Sequence, residues 1–202
     1  MHFLKSPIIY NTPLCPALYK LALNAPSIAS IASPGQFVMV KTSTSSDPLL
    51  ARPFSISKVL PNKTNHSCLE ILYRVVGRGT HLLTKFRQGE NVQLFGPLGN
   101  GFQLDNNSKH LIIVAGGIGI APMRFLIDRV IALRSSKFFS SEPTVPTITL
   151  FFGAKNGLEV PIADSLMNTV NAVYVTTEDG SRGTQGMITD IFKSYAESIE
   201  FP

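Results

Sequence analysis

The chain contains no tryptophan and only two cysteines among its 202 residues. Cys15 and Cys68 are too few for a disulfide framework, and their spacing fits no metal-ligand pattern. Two reduced thiols are what a cytoplasmic protein carries, so the cytoplasm is the expected compartment. Charge is sparse as well. Charged residues make up 15% of the chain, and 18 Lys and Arg against 13 Asp and Glu leave a net charge of +5. The basic residues are scattered and do not interleave with aromatics. That argues against nucleic-acid binding and leaves a mild preference for anionic ligands such as dinucleotides. Long apolar runs are missing too: the longest, such as 111–115 and 148–152, fall far short of the roughly 20 residues a membrane span needs. The first six residues lack the basic-then-apolar order of a secretory signal. Without one, the glycosylation matches at Asn62, Asn65 and Asn106 carry no meaning.

What is present is a well-buried globular chain, 44% hydrophobic with a mean hydropathy of +0.18. In the first hundred residues, apolar and β-branched stretches recur at 7–10, 17–23, 36–41, 54–59, 68–76 and 91–94. Turn-rich segments at 32–35, 42–48, 61–67 and 87–90 separate them. This predicts a small antiparallel β-barrel or sandwich. One helix is expected at 79–86, where Leu82, Leu83 and Phe86 share a face. A glycine cluster at 96–101 and the polar stretch 105–109 then mark a boundary. From His110 the pattern becomes strand, glycine turn, helix (122–134), strand (147–153), short helix, strand (172–176) and a helix at 185–196, with a polar surface insertion at 137–146. The expected architecture is therefore a β-barrel domain, residues 1–103, followed by a parallel α/β domain, residues 110–202. The second domain has only three β-α units, where a complete doubly wound sheet has five or six strands.

Three segments could carry chemistry. Ala115-Gly116-Gly117-Ile118-Gly119 ends a strand, and Pro122 sits where a helix would begin. Bare amides and a helix N-terminus there would suit a pyrophosphate, although Pro122 stands in place of the third glycine of the usual fingerprint. A tight turn without a ligand is the alternative. Arg52-Pro53-Phe54-Ser55 offers a guanidinium fork suited to phosphate, or a solvated arginine at a strand edge. Leu72-Tyr73-Arg74-Val75-Val76-Gly77-Arg78-Gly79-Thr80 brackets a turn into the short helix, with Thr80 as a cap and two arginines that either bind phosphate or face solvent.

Taken together, these motifs resemble the ferredoxin–NADP⁺ reductase superfamily. Within it the chain is most similar to the electron-transfer subunits of bacterial class 1B dihydroorotate dehydrogenases. The resemblance runs from about residue 7 to residue 196 and adds two further motifs: Phe95-Gly96-Pro97-Leu98-Gly99-Asn100-Gly101-Phe102, and Thr177-Glu178-Asp179-Gly180-Ser181 with Gly183 and Gly186. It implies that Arg52 binds a flavin phosphate, with Pro53 in the same motif, that Phe54 packs on the isoalloxazine ring, and that Ser55 bonds near N5. Leu72, Tyr73, Arg74, Gly79 and Thr80 would hold the rest of FAD. Gly116, Gly117, Gly119 and Pro122 would receive the NAD pyrophosphate, and Thr177, Glu178 and Asp179 would lie along the nucleotide. A carboxylate at Glu178 or Asp179 would favour NAD, while the nearby Arg182 leaves NADP open.

The implied chemistry is hydride transfer from NADH to FAD and single-electron release to a dihydroorotate-oxidising, FMN-containing partner. Such chemistry belongs to the cofactors and demands no general acid or base, so no catalytic residue is assigned. His66, His81 and His110 are expected at the surface or in packing. A related reductase subunit, of sulfide dehydrogenase or ferredoxin oxidoreductase type, and a non-catalytic flavin-binding remnant are the alternatives. The family's next strand, ending in Cys-Gly-Pro, and its cysteine cluster for a [2Fe–2S] centre have no counterpart before Pro202. Truncation or gene decay is the expectation on this point, and no metal ligand is assigned.

Overall fold

The computed structural model describes every residue except 43–48, 61–67, 106–107, 136–145 and 199–202. The turn-rich segment 61–67, nearly all of 42–48 and of the 137–146 insertion, His66 and the three glycosylation matches lie outside the described residues.

Six strands close into an antiparallel barrel in the order β1-β2-β5-β4-β3-β6. They are β1 (His2–Cys15), β2 (Leu18–Leu23), β3 (Phe37–Lys41), β4 (Arg52–Leu60), β5 (Cys68–Arg74) and β6 (Asn91–Leu98). The expected strands are all there; β1, β4 and β6 run longer than predicted, and β2, β3 and β5 are slightly shorter. β1 gains the most: its first half pairs with β6 from His2 to Pro7, and its second half pairs with β2 from Ile8 to Cys15. Alternation sets the faces, as period-2 geometry requires. Val38 and Val40 of β3 and Val92 and Leu94 of β6 turn inward to meet Leu21, Ile56, Leu69 and Ile71. β5 is buried on both faces from Cys68 to Tyr73.

Two short helices belong to this part of the chain, α1 (Pro26–Ala29) and α2 (Arg78–Leu83). α1 was not expected; Pro26 begins it, and Ile28 and Ala29 drop into the core. The glycine cluster at 96–101 is not slack linker. A methyl group on Gly96 would lie 2.8 Å from Val38 Cγ1, and one on Gly101 would lie 3.1 Å from Ser33 Cβ, so small residues are needed for packing.

The remaining elements are β7 (His110–Gly116), α3 (Ile120–Ser135), β8 (Thr147–Ala154), α4 (Pro161–Met167), β9 (Ala172–Thr177), β10 (Thr184–Gln185) and α5 (Ile188–Ser198). All four strands run parallel in the order β10-β9-β8-β7. β8 is almost wholly buried, the mark of a parallel strand covered on both faces. The sequence pattern predicts Gln185 at the start of the last helix. It lies instead in β10, a two-residue strand between Gly183 and Gly186, and α5 begins three residues later. Phe151 anchors α5: its ring stacks on Tyr174 at 4.7 Å and meets Phe192 at 5.5 Å and Tyr195 at 5.0 Å.

The chain divides into two compact units, Met1–Gln103 with Ala121–Leu126, and Leu104–Ile120 with Ile127–Pro202. The 121–126 segment joins the barrel unit for two reasons. Phe125 enters its hydrophobic core. Arg124 Nη2 sits 3.2 Å from Glu70 Oε1, with both side chains nearly buried. The other carboxylate oxygen of Glu70 accepts a 2.5 Å hydrogen bond from the Tyr10 hydroxyl. A buried carboxylate needs such partners, because an unpaired one would be costly.

Burial and the bond to Glu70 push the Tyr10 phenol above the usual tyrosine range. Burial does the same for Tyr73, against the opposing effect of its bond to Asn11. Folded-state values raised in this way give a contribution that is intact below the unfolded tyrosine pKa of about 10 and is lost as pH rises beyond it. Of the chain's five tyrosines, Tyr10 and Tyr73 should ionise only as the protein unfolds in alkali. Phenolate absorbance and far-ultraviolet dichroism followed together should show that late step coincide with unfolding. Ionisation of all five before any loss of structure would contradict it.

Candidate functional site

In the barrel unit, the structure brings together two motifs that the sequence keeps 27 residues apart, Arg52 at the start of β4 and Gly79 in the first turn of α2. A methyl group on Gly79 would lie 3.0 Å from Arg52 Nε and 3.3 Å from Cζ. The guanidinium therefore lies directly against the helix backbone, where a larger side chain would press on it. Arg52 also donates to the carbonyl of Leu50. This is a cation held beside the first-turn amides of a helix, a combination suited to an anionic group.

α2 is shorter than expected, and its cap differs. Thr80 is not the residue before the helix but its third. Its hydroxyl accepts from the amides of Val76 (3.0 Å) and Gly77 (3.2 Å) and donates to the Gly77 carbonyl. At the other end Asn11 of β1 donates to the carbonyls of Leu83 (2.7 Å) and Phe86 (3.2 Å) and accepts from the Tyr73 hydroxyl at 3.0 Å. Asn11 thus clamps the helix to the barrel. The sequence reading missed it because nothing near Asn11 marks it.

The other predicted residues of this unit fall in different settings. Phe54 is half-buried, its ring edge-on to Tyr73 with centroids 5.8 Å apart. Tyr73 stacks on Tyr19 at 5.3 Å. Leu72 and Tyr73 are buried, so a ligand could meet only their backbone. Pro53 is exposed, and Ser55 and Arg74 are partly exposed.

In the α/β unit, β7 ends at Gly116 and a 3₁₀ turn, Gly117–Gly119, leads into α3. The helix begins at Ile120, two residues before Pro122. Pro122 is still within the first turn, where its missing N–H costs no helical bond. Methyl groups at Gly116 and Gly119 would meet nothing within 4 Å. Packing does not demand glycine at these two positions, and the bare backbone faces open space, as the approach of a pyrophosphate requires. Gly117, with φ of 50°, has a conformational reason of its own.

A second loop shapes an open pocket of about 440 Å³ in the same unit, between the residues after β8 and those after β9. Asn156, Gly157 and Leu158 form one wall, and Asp179, Ser181 and Arg182 form the other. The walls are joined through Ser181, whose hydroxyl accepts from the Gly157 amide at 2.7 Å and donates to Asp179 Oδ1 at 2.5 Å. The Ser181 amide also donates to that oxygen. These bonds, the hydroxyl first, hold the Asp179 carboxyl below its ordinary value. Of the two predicted carboxylates, Asp179 lines the pocket and Glu178 does not.

Thr177 is fully buried. Its hydroxyl donates to the Arg182 carbonyl at 2.9 Å and accepts from the Arg182 amide at 3.1 Å, which closes the loop. Gly183, with φ of 72°, carries the turn: a methyl there would lie 2.2 Å from the Val175 carbonyl oxygen. The sequence pattern marks Thr177 and Asp179 but neither Asn156 nor Gly157, and Gly157 gains its role only when Ser181 reaches across to it.

Comparison with known proteins supplies the context for these two sites. An electron transfer subunit of dihydroorotate dehydrogenase B (NAD(+)) from Geobacillus is 33% identical over 195 residues, covering 96% of this chain and 70% of the relative. The chain belongs to this family. The corresponding subunit of Desulforamulus reducens is also 33% identical, over 91% of the chain and 65% of its own length, and one from Listeria monocytogenes is 34% identical over 94% and 69%. The chain thus spans about two thirds of the length of these curated relatives. No protein-family model matches it.

Among solved structures, an NADH-dependent reduced ferredoxin–NADP oxidoreductase superposes with a TM-score of 0.77 at 24% identity, over 97% of this chain and 64% of that one. A ferredoxin–NADP⁺ reductase from Neisseria gonorrhoeae with bound FAD and NADP does so at 0.74 and 17%, over 100% and 82%. At such identities the likeness is one of fold, and the fold is that of ferredoxin–NADP⁺ reductases. Among the described residues no helix is long and apolar enough to cross a membrane, and no group of three His, Cys, Asp or Glu could hold a metal ion.

The contact between Arg52 and Gly79 makes a test that needs no ligand. Gly79→Ala should be about 0.5–1 kcal/mol less favourable in urea denaturation than helix propensity alone predicts, because the methyl group must push the guanidinium aside. In an Arg52→Ala background the same change should be clearly more favourable, as expected for residues in contact. Equal effects in both backgrounds would show that the two residues do not meet.

Proposed function

We propose that the chain binds FAD in its barrel unit and NADH in its α/β unit, and passes electrons to a dihydroorotate-oxidising, FMN-containing partner in pyrimidine biosynthesis. The observation that carries the reading is the meeting of Arg52 with the Gly79 backbone, which sets a cation beside the first-turn amides of α2. Membership of a family of electron transfer subunits supports it independently.

When bound, FAD would supply hydride acceptance from NADH and the single-electron release that no side chain here can provide. The chain's own residues bind and orient. Arg52, with the α2 amides beside it, would neutralise a flavin phosphate. Asn11 and Thr80 hold those amides in place from the two ends of α2. Phe54, half-buried against Tyr73, would present an aromatic surface to the flavin ring, and Ser55 next to it a hydroxyl. Gly116 and Gly119 would offer their amides to a dinucleotide pyrophosphate, and the loop closed by Thr177 would bring Asp179 to the ribose. No step requires proton transfer by a side chain.

An iron–sulfur cluster does not fit the residues present, since Cys15 and Cys68 cannot supply four thiolates. No step is routed through one.

The decisive measurement is the visible spectrum of the purified chain, taken before and after anaerobic addition of NADH. A flavin spectrum that bleaches rapidly is the expected result. A yellow protein that ignores NADH would sink the oxidoreductase reading, and a colourless one that takes up no added FAD would sink the flavin site as well. Gly116→Ala separates folding from nucleotide binding. Its added methyl group meets no protein atom within 4 Å, so the melting temperature should hold, while affinity for NADH should fall about tenfold or more as the methyl blocks phosphate approach. Unchanged NADH affinity in this variant would place the pyrophosphate elsewhere.

A further inference from the structure

The pocket of the α/β unit carries two opposite charges, Asp179 and Arg182. A free arginine there would attract a 2′-phosphate, because the guanidinium fork matches phosphate geometry. Arg182 is not free. Its Nη2 donates to Asp164 Oδ1 of α4 at 2.9 Å, and the pair is about half exposed. Asp179, on the same wall, is held ionised by the hydroxyl and amide of Ser181. A 2′-phosphate entering the pocket would have to draw Arg182 away from one carboxylate while approaching another.

We infer that Asp164 is a specificity-determining residue, withholding Arg182 so that the pocket accepts an adenosine ribose with a free 2′-hydroxyl and rejects one bearing a 2′-phosphate. The inference rests on the dinucleotide reading above and extends it to a residue two elements away from the ligand loop. Asp164 lies on α4 and does not line the pocket, so it acts only through the arginine. Such an exposed ion pair adds little to stability, and its effect is on which charge the pocket presents. The loop itself does not depend on the pair, because Thr177 bonds to the backbone of Arg182 and not to its side chain. Substitutions at 164 and 182 therefore leave the loop shape intact.

The test uses the full chain and two probes, ADP and 2′,5′-ADP, titrated calorimetrically. Wild type should prefer ADP by about tenfold or more. Asp164→Asn should raise affinity for 2′,5′-ADP by about fivefold to tenfold, the scale of one released phosphate contact, with ADP affinity changed less than about twofold. Arg182→Ala added to Asp164→Asn should abolish that gain, whereas Arg182→Ala alone should leave the ratio near wild type. An unchanged ratio in Asp164→Asn, with both probes still binding, would overturn the role of Asp164 and leave the dinucleotide site standing. Failure of wild type to bind either probe would overturn the dinucleotide reading itself, and with it this inference.

Discussion

The barrel unit depends on the pairing of one long strand. β1 runs for 14 residues, first along β6 and then along β2, and so closes a sheet that would otherwise have two open edges. The change of partner is pinned at Ser6 and Pro7: the Ser6 hydroxyl donates to the Asn24 carbonyl at 2.9 Å, and the Asn24 amide to the Pro7 carbonyl. Beyond it the same strand delivers Tyr10 to Glu70 and Asn11 to α2. One extended segment thus closes the barrel, partners a buried carboxylate and seats the helix against which Arg52 lies. The phosphate-binding geometry proposed for this unit follows from barrel closure.

The strands were legible as short apolar and β-branched stretches set between turn residues, and the turn after β7 as a glycine cluster between a strand and a helix. Chemistry that depends on distant partners was not. Nothing around Asn11 marks it as the clamp of α2, since its three bonds go to residues more than sixty positions away. Ser181 reads as one more small residue in a ligand loop until its hydroxyl is seen accepting from Gly157. The length of β1 was underestimated because its first residues are largely exposed, which hides a strand from any reading based on alternation. β10 escaped for a different reason: two exposed residues form no pattern, and their strand exists only because Gly183 allows the chain to return beside β9.

The two glycine-rich motifs show different uses of the same residue. At Gly96 and Gly101 the missing side chain is filled by the protein's own atoms, Val38 and Ser33. At Gly116 and Gly119 it is filled by nothing. Composition cannot separate these cases, and only the second kind is a candidate for a ligand.

The pairing of Glu70 with Arg124 has a consequence for how the chain matures during synthesis. Glu70 sits within the barrel sequence, but its cationic partner and the core residue Phe125 arrive more than fifty residues later. In the interval the ribosome must deliver the glycine turn and β7, which belong to the other unit. A nascent barrel ending near Gln103 would hold Glu70 without its Arg124 partner and a core without Phe125. The barrel therefore cannot complete its core as an isolated N-terminal product. Its last stabilising contacts are made only after the following unit has begun to emerge.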